Sequence, residues 1–164
     1  MAWVKIEVDD SKGVADFLVL MAPIHEKYAA MDEAAVGKIV STNQDCEIWL
    51  EREAEMAMIL RNHQPTQKGH VLMMAMPEGM ENDVGLKYVC QVFSLYSERH
   101  GGKDILAIVP KSGCLPRMAS FYNHAVTSIP GSSVISESDR ATHCALPKSG
   151  TDQIKDAIVE RKIK

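Results

Sequence analysis

Residues 70–109 read HVLMMAMPEGMENDVGLKYVCQVFSLYSERHGGKDILAIV, and three changes of pattern in this stretch decide the fold. His70 to Met76 is a short, mostly apolar run closed by Pro77, a residue that cannot continue a strand ladder. From about Asn82 to His100 the apolar positions Val84, Tyr88, Val89, Val92, Phe93 and Tyr96 follow i, i+4, i+5, i+8, and Gly101-Gly102 supplies a helix stop. Asp104 to Val109 is then a brief apolar run, as expected of a strand covered on both faces. Strand, helix, strand in this order predicts a right-handed crossover between parallel neighbours. Where two such strands splay, a crevice opens at their carboxyl ends.

Outward from this stretch the pattern is antiparallel. Cys46 to Arg52 and Met56 to Arg61 precede it as strands, with reversals at Glu53-Ala54-Glu55 and at His63 to Gly69. Earlier still, Trp3 to Val8 alternates with Val4, Ile6 and Val8 on one face, a half-buried strand. Val14 to Met31 has helical spacing with Pro23 kinking or splitting it, a short helix from about Asp32 to Ile39 follows, and Ser41 to Asp45 is a loop. Downstream, Pro116 opens a helix through about Val126, Pro130-Gly131 breaks it, and Ser133 to Glu137 with Ala141 to Leu146 forms a last hairpin. Pro147 to Gly150 has linker-like composition, and residues 151–164 place Ile154, Ala157, Ile158 and Arg161 on one helical face. The expected organisation is therefore a domain over 1–147 and a tail over 148–164 with a short amphipathic helix.

With 164 residues and 46% hydrophobic content, the chain is long enough for one real core, and at 24% charged residues it is no disordered or low-complexity polymer. A net charge of −4 gives no general pull toward nucleic acid or anionic lipid. The longest apolar run, Phe17 to Ile24, falls well short of the roughly 20 residues of a spanning helix. The first ten residues carry no basic flank and no apolar segment of a secretory signal, so a cytoplasmic protein without a membrane partner is expected. Cys46, Cys90, Cys114 and Cys144 form no C-x-x-C pair, so no zinc site is written and reduced structural thiols are expected.

The order strand, two helices, three antiparallel strands, long helix, apolar strand, helix, hairpin resembles the GNAT superfamily of acyl-CoA N-acyltransferases over about residues 3–147. Met74-Ala75-Met76-Pro77-Glu78 resembles the family's apolar-x-Pro-Glu end of strand four, and Phe121-Tyr122 resembles the aromatic pair of its fourth helix. The resemblance implies an α/β (α+β) fold: a mixed, mostly antiparallel sheet with helices on both faces and a splayed parallel pair at strands 4 and 5. It implies acetyl-CoA or another acyl-CoA as cofactor and a small-molecule or protein amine as acceptor. Backbone groups of Met74, Ala75 and Met76 would pair with the pantetheine arm, and N–H groups of Val84, Gly85, Leu86 and Lys87 would receive the pyrophosphate. Tyr122 would protonate the departing thiolate.

The family's cradle, Arg/Gln-x-x-Gly-x-Gly/Ala, falls on Met80-Glu81-Asn82-Asp83-Val84-Gly85, where only the last glycine is kept; the shifted register Asn82 to Lys87 keeps a polar first residue and a middle glycine. Glu81 and Asp83 suit a helix start, yet they repel a bound anion. For a general base, Glu78 is taken with Tyr122 as the catalytic pair, beside Glu51, Glu53, His70 and His143 as candidates by element position. Met73, Met74, Met76 and Met80 suit flexible core filling, and Cys114 and Cys144 lack an activating neighbour, since His143 lies on the other strand face. Basic residues Lys155, Arg161, Lys162 and Lys164 are interleaved with Asp152, Asp156 and Glu160, as on a solvated face. A second reading stays open: a GNAT-shaped protein without catalysis, serving as a structural or interaction module such as a viral or phage particle component or an inhibitor. A nucleic-acid-modifying relative is opposed by the acidic balance, and a protein partner or homo-oligomer is left open.

Overall fold

The computed structural model describes residues 3–28, 31–112 and 116–163, with side chains described in 3–23, 31–112 and 116–155. Cys114 and the side chains of Ala157, Ile158, Arg161 and Lys162 therefore lie outside the described residues, as does Lys164. Contacts divide the chain into two compact units, Met1–Pro77 and Glu78–Lys164.

The first unit contains β1 (Val4–Ile6), α1 (Ser11–Tyr28), α2 (Glu33–Thr42), β2 (Glu47–Glu51), β3 (Met56–His63) and β4 (Lys68–Ala75). Its strands form the expected antiparallel meander, with Ile6 opposite Ile48, Leu50 opposite Ala57 and Ala57 opposite Ala75. Asp10 starts α1 by accepting from the Gly13 N–H at 3.0 Å, and Asp32 starts α2 by accepting from Ala35 N at 2.9 Å. Pro23 does not split the first helix; α1 runs through it. Proline removes only its own N–H from the ladder, and the apolar face of α1 is anchored on the sheet through Val14, Phe17 and Met21. These side chains, with Val36, cover Ile6, Ile48, Leu50, Ala57, Ile59 and Ala75.

The opposite sheet face is buried too: Trp3, Trp49, Met56, Met58 and Met74 are all under a tenth exposed. Alternation in β1 groups Val4, Ile6 and Val8 on the covered face, but of these only Ile6 is buried. Trp3 is buried while Val4 and Val8 are 45% and 44% exposed, because a large aromatic removes more apolar area from water than valine does.

The second unit contains α3 (Asn82–Arg99), β5 (Ile105–Pro110), α4 (Pro116–Ser128), β6 (Ser133–Glu137), β7 (Ala141–Leu146) and α5 (Lys148–Ile163). The hairpin β6–β7 forms as expected and β7 continues onto β5 antiparallel, so the strand order is β5, β7, β6. Helix α3 ends where Gly101 and Gly102 take φ near +80°, with Gly102 N donating to Ser97 O at 2.7 Å.

Residues 147–150 do not act as a linker; α5 begins at Lys148, whose N–H is capped by Asp104 at 3.1 Å, and packs along α3. Ser94 Oγ donates to Asp152 Oδ1 at 2.6 Å and Lys148 Nζ reaches Oδ2 at 2.7 Å. Burial raises the Asp152 carboxyl, but these hydrogen bonds outweigh it and hold the group below the ordinary carboxylate value. Among the described residues, no helix is long and apolar enough to cross a membrane, and no group of three His, Cys, Asp or Glu is placed to hold a metal ion.

Candidate functional site

The start of α3 is the chemically distinctive feature of the second unit. Glu81 occupies the cap position with extended backbone but makes no side-chain cap, so Asn82, Asp83 and Val84 present backbone N–H groups that have no partner within the helix. Gly85 N already donates to Glu81 O at 2.9 Å, and Leu86 and Lys87 lie inside the helix. Of the four residues expected to receive an anion, only Val84 is in the first turn, and the open donors extend from it back to Asn82.

Four side-chain contacts from α4 fasten this helix start. Arg117 donates to Asn82 Oδ1 and to the Met80 carbonyl, each at 2.5 Å. Asn82 Nδ2 donates to Ser120 Oγ at 3.0 Å, and His124 Nε2 meets Asp83 Oδ1 at 2.7 Å. The residues follow i, i+3, i+7 from Arg117, one stripe of α4, and Pro116 sets the first turn that carries them. Electrostatically, a guanidinium now stands beside the N-terminal end of α3, and one of the two carboxylates there is engaged by an imidazole. Sequence pattern alone does not announce this network. The polar stripe Arg117, Ser120, His124 was visible, but its target lies some 35 to 41 residues away.

The remaining candidates are scattered. Tyr122 is half-buried on α4 beside the buried Phe121, ring centroids 6.2 Å apart. Glu78 is exposed. In the first unit Met74 and Ala75 are buried at the end of β4, Met74 opposite Met58 and Ala75 in the core below α1, and half-buried Met76 follows them. His70 lies at the other end of β4, roughly 20 Å from Met76 at about 3.3 Å per residue, so it does not serve chemistry at that strand's carboxyl end. Glu53 is an exposed turn residue. His143 pairs with Ile108 in mid-sheet, and its neighbour Cys144 is buried on the other face. Burial raises the Cys144 thiol and pushes those of Cys46 and Cys90 up to about 11 and about 12, so these three are protonated structural residues rather than nucleophiles.

No protein-family model and no curated protein matches the chain. Among solved structures it is similar to one described as apo FdhC, a nucleotide-linked sugar GNAT, with a TM-score of 0.61 over 96% of this chain and 92% of that one. The chain has the GNAT fold. At 15% identity the likeness is one of architecture, and it agrees with the mixed, mostly antiparallel α/β class expected from the order of elements. Within the GNAT fold, α3 is the helix that follows the Pro77-Glu78 end of β4, and α4 is the one that carries Phe121-Tyr122.

Proposed function

We propose that this protein is an N-acyltransferase that moves an acetyl or other acyl group from acyl-CoA to an amine by direct attack. The observation that carries the reading is the start of α3, where three backbone donors without a partner in the helix lie at the same helix end as Arg117, which bonds Asn82 and the Met80 carbonyl, in a chain of GNAT fold. Such a helix end suits a pyrophosphate, because unpaired N–H groups and the positive end of the dipole face the anion. Asn82, Asp83 and Val84 would hold it, with Arg117 supplying the charge that the incomplete glycine cradle does not. The resemblance further assigns the backbone of Met74 to Met76 to the pantetheine arm and the Tyr122 hydroxyl to protonation of the departing sulfur. When bound, acyl-CoA supplies an activated thioester carbonyl; the chain's part is to orient it, to exclude water and to manage protons. Glu78 is the base assigned by position, its exposed carboxylate taking the proton that the amine loses.

Thermal unfolding with and without CoA tests this. At about a hundred times its dissociation constant, CoA is expected to add close to 3 kcal/mol of apparent stability, a rise of several degrees in the midpoint. No rise at millimolar CoA would reject the acyl-CoA reading. Asp83→Asn keeps a partner for His124 and removes one negative charge from the helix start, so it is expected to tighten CoA binding about 2- to 5-fold by titration calorimetry. An unchanged or weaker affinity would place the pyrophosphate elsewhere.

A second reading, an interaction protein that keeps the GNAT fold without the cofactor, is favoured by one observation: Glu81 and Asp83 are both exposed carboxylates at that helix start. The absence of any CoA effect on stability, together with a well-folded chain, is its expected signature.

A further inference from the structure

At the start of α3, Arg117 attracts an anion and Asp83 repels it, and the contact that Asp83 makes changes charge with pH. Asp83 Oδ1 lies 2.7 Å from His124 Nε2, on the stripe of α4 that also carries Arg117 and Ser120. This contact is a hydrogen bond when the imidazole is neutral and an ion pair when it is protonated. The His124 side chain is 29% exposed and that of Asp83 74%, so both exchange protons with solvent directly.

The other ring nitrogen, Nδ1, lies 3.5 Å from Ser128 Oγ, one helical turn further along α4. A hydroxyl donates to a neutral ring nitrogen and accepts from a protonated one, while the carboxylate accepts from Nε2–H in both states. Protonation therefore costs the pair no hydrogen bond and changes its charge alone. With the ring neutral, Asp83 leaves a full negative charge in the first turn of α3; with the ring protonated, the pair sums to zero.

The groups around the pair are of other types. Glu81 stands at the cap of α3 and Lys87 one turn after Asp83; Arg117 and Tyr122 lie on α4 itself. The elements that pack most closely on α4 are α3 and β5, and β5, from Ile105 to Pro110, carries no titratable side chain. Glu, Tyr, Lys and Arg side chains ordinarily keep one protonation state between about pH 6 and 8, whereas histidine is the type that changes charge there.

We propose that His124 is a pH-dependent control on the anion site at the start of α3: its protonation cancels the Asp83 charge and strengthens pyrophosphate binding as pH falls from about 8 to about 6. The inference deepens the acyl-CoA reading and rests on it, since that reading supplies the anion. By linkage the bound anion in turn holds the proton on the ring, so binding near neutrality takes up a fraction of a proton from solution.

Dephospho-CoA is the probe, because it keeps the pyrophosphate and lacks the phosphomonoester that itself titrates near pH 6. Titration calorimetry at constant ionic strength is expected to give wild type an affinity about 2- to 5-fold tighter at about pH 6 than at about pH 8, the effect of one exposed charge near a helix end. His124→Gln, whose amide still donates to Asp83, is expected to bind at both pH values as wild type does at the higher one. His124→Lys, charged at both, is expected to bind at both as wild type does at the lower one. At about pH 7, titrations in buffers of different ionisation heat are expected to show proton uptake on binding by wild type and none by His124→Gln. Equal wild-type affinities at the two pH values, or a pH ratio that persists in His124→Gln, would overturn the assignment and leave the acyl-CoA reading in place. An equal loss of affinity in the Gln and Lys variants would overturn it too, since His124 would then act through packing and not through charge. Absence of dephospho-CoA binding by wild type at either pH would instead reject the acyl-CoA reading, and this control with it.

Discussion

Gly150→Ala is expected to lower the melting midpoint by roughly 6–12 °C, corresponding to about 3 kcal/mol, although alanine is the better helix former. Gly150 is buried in the first turn of α5, with its N–H donated to the Pro147 carbonyl at 3.0 Å. A β-carbon there would fall on the Pro130 carbonyl oxygen, well inside contact distance, and 2.9 Å from Ile129 Cγ2. The obstacle is main chain, not the end of a flexible side chain, so either the connection after α4 or the start of α5 has to move. Movement of α5 would draw Asp152 away from Ser94 and uncover the side of α3 on which α5 packs. Gly37, in the middle of α2, is the control, because a β-carbon there would meet nothing within 4 Å. Gly37→Ala is expected to stabilise by about 0.5–1 kcal/mol. Equal effects from the two substitutions, measured by circular dichroism melts, would show that α5 is not seated on the Pro130 backbone.

The same residue explains how a stretch that composition marks as a linker becomes the entry to a packed helix. Pro and Gly in 147–150 signal a break in the chain, and the break is real, but the glycine is required by close approach and not by flexibility. Where periodicity alone decides, the sequence was legible: α3 and its Gly-Gly stop, the apolar β5 and the meander of β2, β3 and β4 all stand within a few residues of their expected limits. Legibility fails where burial depends on what covers a face. A glutamate within a strand or at its end is ordinarily solvated, and Glu47 and Glu51 in β2 are both buried. It fails also where the partner is distant in sequence, as with Arg117, Ser120 and His124 on the start of α3. The second of these failures falls on the start of α3, the place to which the proposed function attaches. That is expected physically, because a site demands local features, such as an open donor, that a fold optimised for stability alone would remove.

Phe17→Ala is expected to cost about 3–5 kcal/mol, a large part of the 5–15 kcal/mol that stabilises a typical native chain. The ring is fully enclosed, in one cluster with Val14, Met21 and Val36 on the helical side and Ile6, Ile48, Leu50, Ala57, Ile59 and Ala75 on the sheet. Removing it takes away apolar burial and leaves a cavity between α1 and the strands, because rigid sheet neighbours collapse only partly into the space. The damage is not confined to stability. Ala75 belongs to the same cluster and Met73 packs against it, so a loosened α1 releases the end of β4 to which the pantetheine arm is assigned. The midpoint is therefore expected to fall by roughly 8–16 °C, and CoA affinity with it, whereas Phe17→Leu, which keeps most of the volume, is expected to cost about 1.5 kcal/mol and to bind CoA as wild type does. A midpoint within about 2 °C of wild type for Phe17→Ala would mean that α1 is not seated on this face of the sheet. A large loss of stability with unchanged CoA affinity at low temperature would separate the core under α1 from the cofactor's strand, and the assignment of Met74 to Met76 would fall with it.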